Sequence, residues 1–151
     1  MHSNALNGNP DILLIEDNPG DICLIRIALN ECDTTCTLHT VTDGSEAMRF
    51  LYDKSWRAPR PALVLLDLNL PLLTGHEVLE RIRSQSETRT LPVIVMSSSR
   101  DPDDVSKAYR SGANCYLHKP TEFDELIRVM RGLTQFWFQI VRLPENPWQV
   151  V

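Results

Sequence analysis

Five residues of the kinds that hold cations and phosphoryl groups stand at or just beyond the ends of short apolar runs. Glu16 and Asp17 follow Ile12-Leu13-Leu14-Ile15, Asp67 follows Leu63-Val64-Leu65-Leu66, Ser97 follows Val93-Ile94-Val95-Met96, and Lys119 follows the run that begins at Ala113. Three carboxylates brought into one cleft repel one another, and the repulsion has two physical solutions: a raised pKa or a bound cation. Hard oxygen ligands with open positions suit Mg²⁺, which keeps several waters and takes one or two protein carboxylates together with phosphate oxygens. A carboxylate can itself attack phosphorus and become an acyl phosphate when nearby charges neutralise the equatorial oxygens. Lys119 can supply such a charge and Ser97 a hydroxyl donor. Asp67 ends the most central acidic run and is the best-placed nucleophile, with Glu16 and Asp17 better placed for metal and water.

For that chemistry the elements must bring the five together. Apolar runs begin at Ile12, Cys36, Leu63, Leu91 and Ala113, with helical periodicity between them. Runs that are apolar on both faces belong to a parallel sheet covered by helices. Helix starts are signalled at Asn18-Pro19, Asp101-Pro102 and Thr121-Glu122, and Asp43 with Glu46 forms a capping-box pattern. Inward stripes run through Ile22, Ile25 and Leu29, through Val78, Leu79 and Ile82, and through Leu126, Met130, Leu133 and Trp137. The spacing predicts an α/β fold: (βα)5, a doubly wound parallel five-stranded sheet. With strand order 2-1-3-4-5, the first and third strands meet at the switch point, where ligand clefts open beyond the carboxyl ends of strands, and Glu16, Asp17 and Asp67 converge there.

These same segments carry a family resemblance. Ile15-Glu16-Asp17-Asn18, Leu66-Asp67-Leu68-Asn69-Leu70-Pro71, Val95-Met96-Ser97 and Lys119-Pro120 resemble, in order and spacing, the receiver domain of two-component response regulators over about residues 10 to 135. The resemblance implies a flavodoxin-like receiver fold with Asp67 as phosphoacceptor and Lys119 as the phosphate-binding lysine. It implies direct Mg²⁺ ligation by Asp17, Asp67 and the Asn69 backbone carbonyl, with Glu16 reaching the metal through water. It further implies Ser97 as the switching hydroxyl, Tyr116 as the aromatic rotamer switch and a cis Lys119-Pro120 bond. Within the family, Asn18-Pro19-Gly20-Asp21 and an extended fifth helix with an aromatic tail are similar to single-domain receivers that accompany cyanobacterial phytochrome histidine kinases. The implied partner is therefore a phytochrome-like sensor histidine kinase.

Composition bounds the remaining readings. The 151 residues carry 15 Lys and Arg against 20 Asp and Glu, a net charge of −5, which argues against general nucleic-acid affinity. No apolar run approaches the roughly 20 residues of a membrane span, and cysteines read as reduced make a cytoplasmic protein the expectation. Cys23, Cys32, Cys36 and Cys115 lack zinc-site spacing and read as reduced, mostly buried thiols. His39 reads as a strand residue, and His2, His76 and His118 read as exposed. The expected organisation is a flexible start over 1–10, a receiver domain over 11–138 and a tail over 139–151, with no appended output domain. Phe136, Phe138 and Trp148 point to a homodimer or partner contact through the fourth and fifth helices and the tail. Three other readings compete with the phosphorylation switch. An aspartyl-phosphate phosphohydrolase needs an acid two residues past its nucleophile, where this chain has Asn69. A phosphorylation-independent interaction module would have lost some of the five residues, and none is lost. A flavin carrier would need a glycine- and hydroxyl-rich loop where Glu16-Asp17 stands.

Overall fold

Four consecutive residues buried on both faces make Leu63–Leu66 a strand that only the interior of a covered sheet can accommodate. In the computed structural model, which describes residues 8–144, this strand is β3 of a five-stranded parallel sheet of order β2-β1-β3-β4-β5. The others are β1 (Asp11–Ile15), β2 (Thr37–Val41), β4 (Val93–Ser97) and β5 (Cys115–His118), so the α/β topology is the one the spacing predicts. The crossovers are α1 (Pro19–Asn30), α2 (Gly44–Tyr52), α3 (Gly75–Ser84), α4 (Pro102–Arg110) and α5 (Phe123–Gln135). A 3-10 turn (Lys54–Trp56) follows α2, and a π-helical turn (Phe136–Ile140) prolongs α5.

Alternation along the strands divides the core in two. Leu13, Ile15, Val64, Leu66, Val93 and Val95 face a cluster completed by Ala47 and Leu51 of α2, Val78, Leu79 and Ile82 of α3 and Ala108 of α4. Ile12, Leu14, Leu63, Leu65, Ile94 and Met96 face Ile25 and Leu29 of α1 and Leu126, Met130 and Leu133 of α5. Trp137 continues the α5 stripe into this second cluster, as its spacing predicts.

Helix starts follow local chemistry closely. Asn18, Asp43 and Asp101 each accept a hydrogen bond from a first-turn backbone N–H. The Glu46 carboxylate turns back to Thr42, accepting from its N–H and its hydroxyl, rather than closing the box on Asp43. Two expectations change. Thr74 caps α3 by accepting from the Glu77 N–H, a Thr-x-x-Glu signal not singled out above. At α5 the cap position falls on Glu122, whose side chain makes no capping bond; Thr121 stands one residue too early.

The four cysteines are free; Cys23 is exposed and the other three are half-buried, so none is a fully buried thiol. Burial pushes the Cys32, Cys36 and Cys115 thiols up. His76 and His118 are half-buried rather than exposed, the His118 Nε2 accepting from the Arg100 Nε–H or, when it carries a proton, donating to the Ser98 carbonyl. Phe136 is exposed, but Phe138 packs partly against the α1/α5 cluster, so the adjacent exposed pair expected at this end reduces to Phe136; Trp148 lies outside the described residues. Among the described residues, no helix is long and apolar enough to cross a membrane.

Gly75 decides how closely α3 approaches the end of β3. A Cβ there would lie 2.5 Å from both the Asp67 carbonyl oxygen and the Leu68 Cα, backbone atoms that cannot step aside. Gly75→Ala is expected to destabilise the fold by about 1–3 kcal/mol through overpacking. A lower urea midpoint at unchanged slope is the expected result, and an unchanged midpoint contradicts this account of the contact.

Candidate functional site

Strand register builds the site before any side chain is considered. Ile15 pairs with Leu66 and Leu66 with Val95, so the residues that follow, Glu16, Asp67 and Met96-Ser97, leave the sheet side by side. The Asp67 N–H donates to the Ile15 carbonyl at 3.0 Å and the Glu16 N–H to the Val41 carbonyl at 3.1 Å, extending the ladder past the strand ends. On the far side Ser97 pairs with His118, and the Lys119 N–H donates to the Ser97 carbonyl at 2.7 Å. All five chemistry-bearing residues therefore stand at the carboxyl edge of the sheet, where the switch point opens its crevice.

Within the crevice Glu16, Asp17 and Asp67 each offer a carboxylate oxygen within 4.8 Å of the others. Glu16 and Asp67 are buried, at 1% and 6% exposure, whereas Asp17 is open to solvent. This is the convergence expected from the sequence. The Glu16 Oε1 accepts from the Asn18 N–H at 3.1 Å, and the Asp67 Oδ1 from the Asn69 N–H at 3.2 Å. Both bonds fix carboxylates with loop backbone and leave further oxygen lone pairs to face the crevice. Two buried acids and one exposed acid form an oxygen donor set that fits a hard divalent cation with open coordination positions.

Lys119 is the counter-charge. Its Nζ donates to the Glu16 Oε2 at 2.8 Å and to the Asp21 Oδ2 at 2.9 Å, and stands 3.6 Å from the Asp67 Oδ2. Burial is the largest influence on Glu16 and, with the Asp67 charge, pushes its carboxyl up to about 7, against the pull of Lys119. Burial also opposes the lysine charge, but hydrogen bonds to Glu16 and Asp21 and the charge of Asp67 outweigh it and hold the ammonium above the usual lysine range. Asp21 was not among the sequence candidates. Its signal was the helix start itself: the Asn18 side chain accepts from the Asp21 N–H at 3.0 Å, which fixes this acid in the first turn of α1 beside the crevice.

The expected cis Lys119-Pro120 bond is absent: the bond is trans. A trans X-Pro bond is favoured by about 0.5–1 kcal/mol in general, and from it Lys119 already reaches both Glu16 and Asp21.

Ser97 is wholly buried at the end of β4, and its Oγ accepts from the Ser99 N–H at 3.2 Å. Tyr116 lies half-buried on β5 and donates its hydroxyl to the Ser99 carbonyl at 2.8 Å. Ser99 donates its own hydroxyl to Asp104 of α4 at 2.5 Å. Ser97 and Tyr116 thus meet at one residue of the β4–α4 loop, although neither makes a direct hydrogen bond to the carboxylates. Asn69 is exposed.

An acidic crevice with one half-buried lysine, at the carboxyl edge of a parallel 2-1-3-4-5 sheet, defines a phosphorylation-controlled signalling module. The chain belongs to the response regulator receiver domain family, whose profile matches residues 12–131. It is 38% identical over 135 residues to response regulator Rcp1 of Synechocystis sp., covering 88% of this chain and 92% of that one. It is 36% identical to the probable methanogenesis regulatory protein FilR2 of Methanothrix harundinacea, covering 88% and 86%. Among solved structures it is similar to the phosphorylated cyanobacterial phytochrome response regulator RcpA, with a TM-score of 0.85, 38% identity and coverage of 91% of this chain and 100% of that one. The Mn²⁺-bound form of Rcp1 matches with a TM-score of 0.82, 37% identity and coverage of 89% and 99%.

A divalent cation held here adds stability by mass action, about 2.7 kcal/mol at a concentration 100 times its dissociation constant. Asp17→Asn is expected to remove most of the rise in melting temperature that Mg²⁺ gives the unaltered chain, while leaving the metal-free melting temperature within about 2 °C, because Asp17 is exposed and supports no packing. An undiminished Mg²⁺ effect in this variant contradicts the assignment of Asp17 to the cation.

Proposed function

We propose that Asp67 accepts a phosphoryl group from a phosphohistidine of a partner histidine kinase and that the chain signals by changing which surfaces it presents. The observation that carries this reading is the buried Asp67 carboxylate, 3.6 Å from the Lys119 ammonium and within 4.8 Å of the oxygens of two further acids. Asp67 attacks phosphorus, the phosphorus–nitrogen bond of the donor breaks, and the departing imidazole carries away the bond's electron pair and takes up a proton from water. Mg²⁺, when bound, neutralises charge on the equatorial oxygens of the group in transfer. Asp17, Asp67 and the Asn69 carbonyl would hold that ion, with Glu16 supporting it through water. Lys119 turns its remaining ammonium proton to a phosphoryl oxygen. Slow hydrolysis of the acyl phosphate at the same site resets the chain.

The signal leaves through Ser97 and Tyr116. A phosphoryl oxygen on Asp67 draws the Ser97 hydroxyl toward it, which loosens the Ser97–Ser99 bond and so the loop that Tyr116 also holds. A new charge with strong acceptor oxygens at one end of a bistable loop is a sufficient cause for such a shift. The face made by β4, α4, β5 and α5 then changes its partner preference. Similarity to the phytochrome response regulator RcpA supports a phytochrome-like kinase as the donor, and the free cysteines fit an exchange that takes place in the cytoplasm. Exposed Phe136 and the groove beside it, lined by Cys115, Leu117, Val129 and Trp137 with a volume of about 660 Å³, support a homodimer through α4, α5 and the tail.

The chemistry is tested by incubating the full chain with a small phosphodonor, with and without Mg²⁺, and measuring intact mass. A one-phosphate adduct that needs Mg²⁺ and is absent in Asp67→Asn is expected; an adduct unchanged in that variant overturns the reading. For the dimer, light scattering over a concentration series with a phosphoryl analogue is expected to show a molecular weight above the monomer, and monomer throughout contradicts it.

A further inference from the structure

Lys119 has three ammonium protons, and two are already committed. One goes to Glu16 at 2.8 Å and the other to Asp21 at 2.9 Å, while the Asp67 Oδ2 stands beyond hydrogen-bond distance at 3.6 Å. Asp67 carries the opposite charge, and its Oδ1 already accepts from the Asn69 N–H, so Oδ2 is the less engaged oxygen and the better placed to attack. A lysine seated on that oxygen would tie up the attacking lone pair, and the bond would have to break before transfer. Something therefore has to keep the ammonium close to Asp67 without letting it close the last ångström. Glu16 alone holds one proton and leaves the side chain free to swing about that contact. Asp21 supplies the second point.

Among the described residues the Asp21 side chain has no other hydrogen-bonded or ion-paired partner. The cap at the start of α1 is made by the Asn18 side chain to the Asp21 backbone N–H, so the Asp21 carboxylate is not needed for it. It is one-third exposed, and the same Asn18 donates its own N–H to Glu16, so the two carboxylates that grip Lys119 are spaced by one capping residue.

We propose that Asp21 is a positioning residue for phosphoryl transfer: by taking one ammonium proton of Lys119, it keeps that lysine off the nucleophilic oxygen of Asp67 and aimed at the incoming phosphoryl group. This rests on Asp67 being the acceptor. Misplacing a reacting group by about 1 Å can slow a reaction by up to 100-fold, so a partial loss of hold is expected to slow transfer by about tenfold. Asp21→Asn keeps the backbone cap and the side-chain volume but removes the charge that competes for the lysine. Asp21→Glu keeps the charge.

The test uses the full chain with phosphoramidate at saturating Mg²⁺ and measures initial rates of acyl phosphate formation by intact mass. Asp21→Asn is expected to react about tenfold more slowly than the unaltered chain, and Asp21→Glu to recover to within about twofold of it. Equal slowing in both variants, or no slowing in Asp21→Asn, overturns the proposal. A second measurement needs neither metal nor donor: thermal unfolding of Asp21→Asn with Lys119 present and in a Lys119→Met background. A fall in melting temperature only where Lys119 is present supports the contact, and the same fall in both backgrounds overturns it. An unaltered chain that takes up no phosphoryl group overturns the functional reading itself, a result distinct from a slow variant of an active chain.

Discussion

Everything at the carboxyl edge of this sheet answers to one constraint: carboxylates are held closer together than their charges allow, with one half-buried lysine between them. Glu16 and Asp67 are nearly solvent-free and would repel each other strongly in a crevice of low polarity. Lys119 relieves part of this by pairing with Glu16 and Asp21, and backbone N–H groups of Asn18 and Asn69 relieve another part. Four acids, Glu16, Asp17, Asp21 and Asp67, against one lysine still leave net negative charge in the crevice. That residue of charge is what makes the crevice receptive to a divalent cation and, through it, to a phosphoryl group.

The fold maintains this arrangement with rigid parts on one side and a looser one on the other. The β1 and β3 ends that carry Glu16 and Asp67 are central in the sheet and buried on both faces, and Gly75 clamps α3 against the turn after Asp67. The β4–α4 loop is held differently, by hydrogen bonds that converge on Ser99 from Ser97, Tyr116 and Asp104. Hydrogen bonds of this sort exchange at little net cost, whereas the packed strand ends do not yield. A change of charge at Asp67 therefore finds its easiest outlet through the loop.

Much of this was legible in the sequence because strand ends in a parallel sheet are fixed by register. Runs apolar on both faces located β1, β3 and β4, and the residues just past them had to share one edge, which is where Glu16, Asp17, Asp67, Ser97 and Lys119 stand. What escaped depended on side-chain reach rather than on chain position. Asp21 lies on a helix, four residues past Asp17, and only the geometry of the Asn18 cap brings its carboxylate to Lys119. The trans Lys119-Pro120 bond differs from the expectation, and from it the lysine's flexible four-carbon stem already reaches Glu16 and Asp21. Phe138 joins the core because the π-helical turn after α5 departs from the period on which its exposure was judged.

The central claim is that phosphorus bonds to the Asp67 carboxylate and to no other group of the crevice. Acyl phosphates are reduced by borohydride to the corresponding alcohol, so treating the phosphodonor-exposed chain with borohydride and sequencing its peptides by mass spectrometry reads the site directly. The expected result is reduction at position 67 only, dependent on both donor and Mg²⁺. Reduction at 16, 17 or 21, or phosphorus retained on a histidine or lysine with position 67 intact, would contradict it.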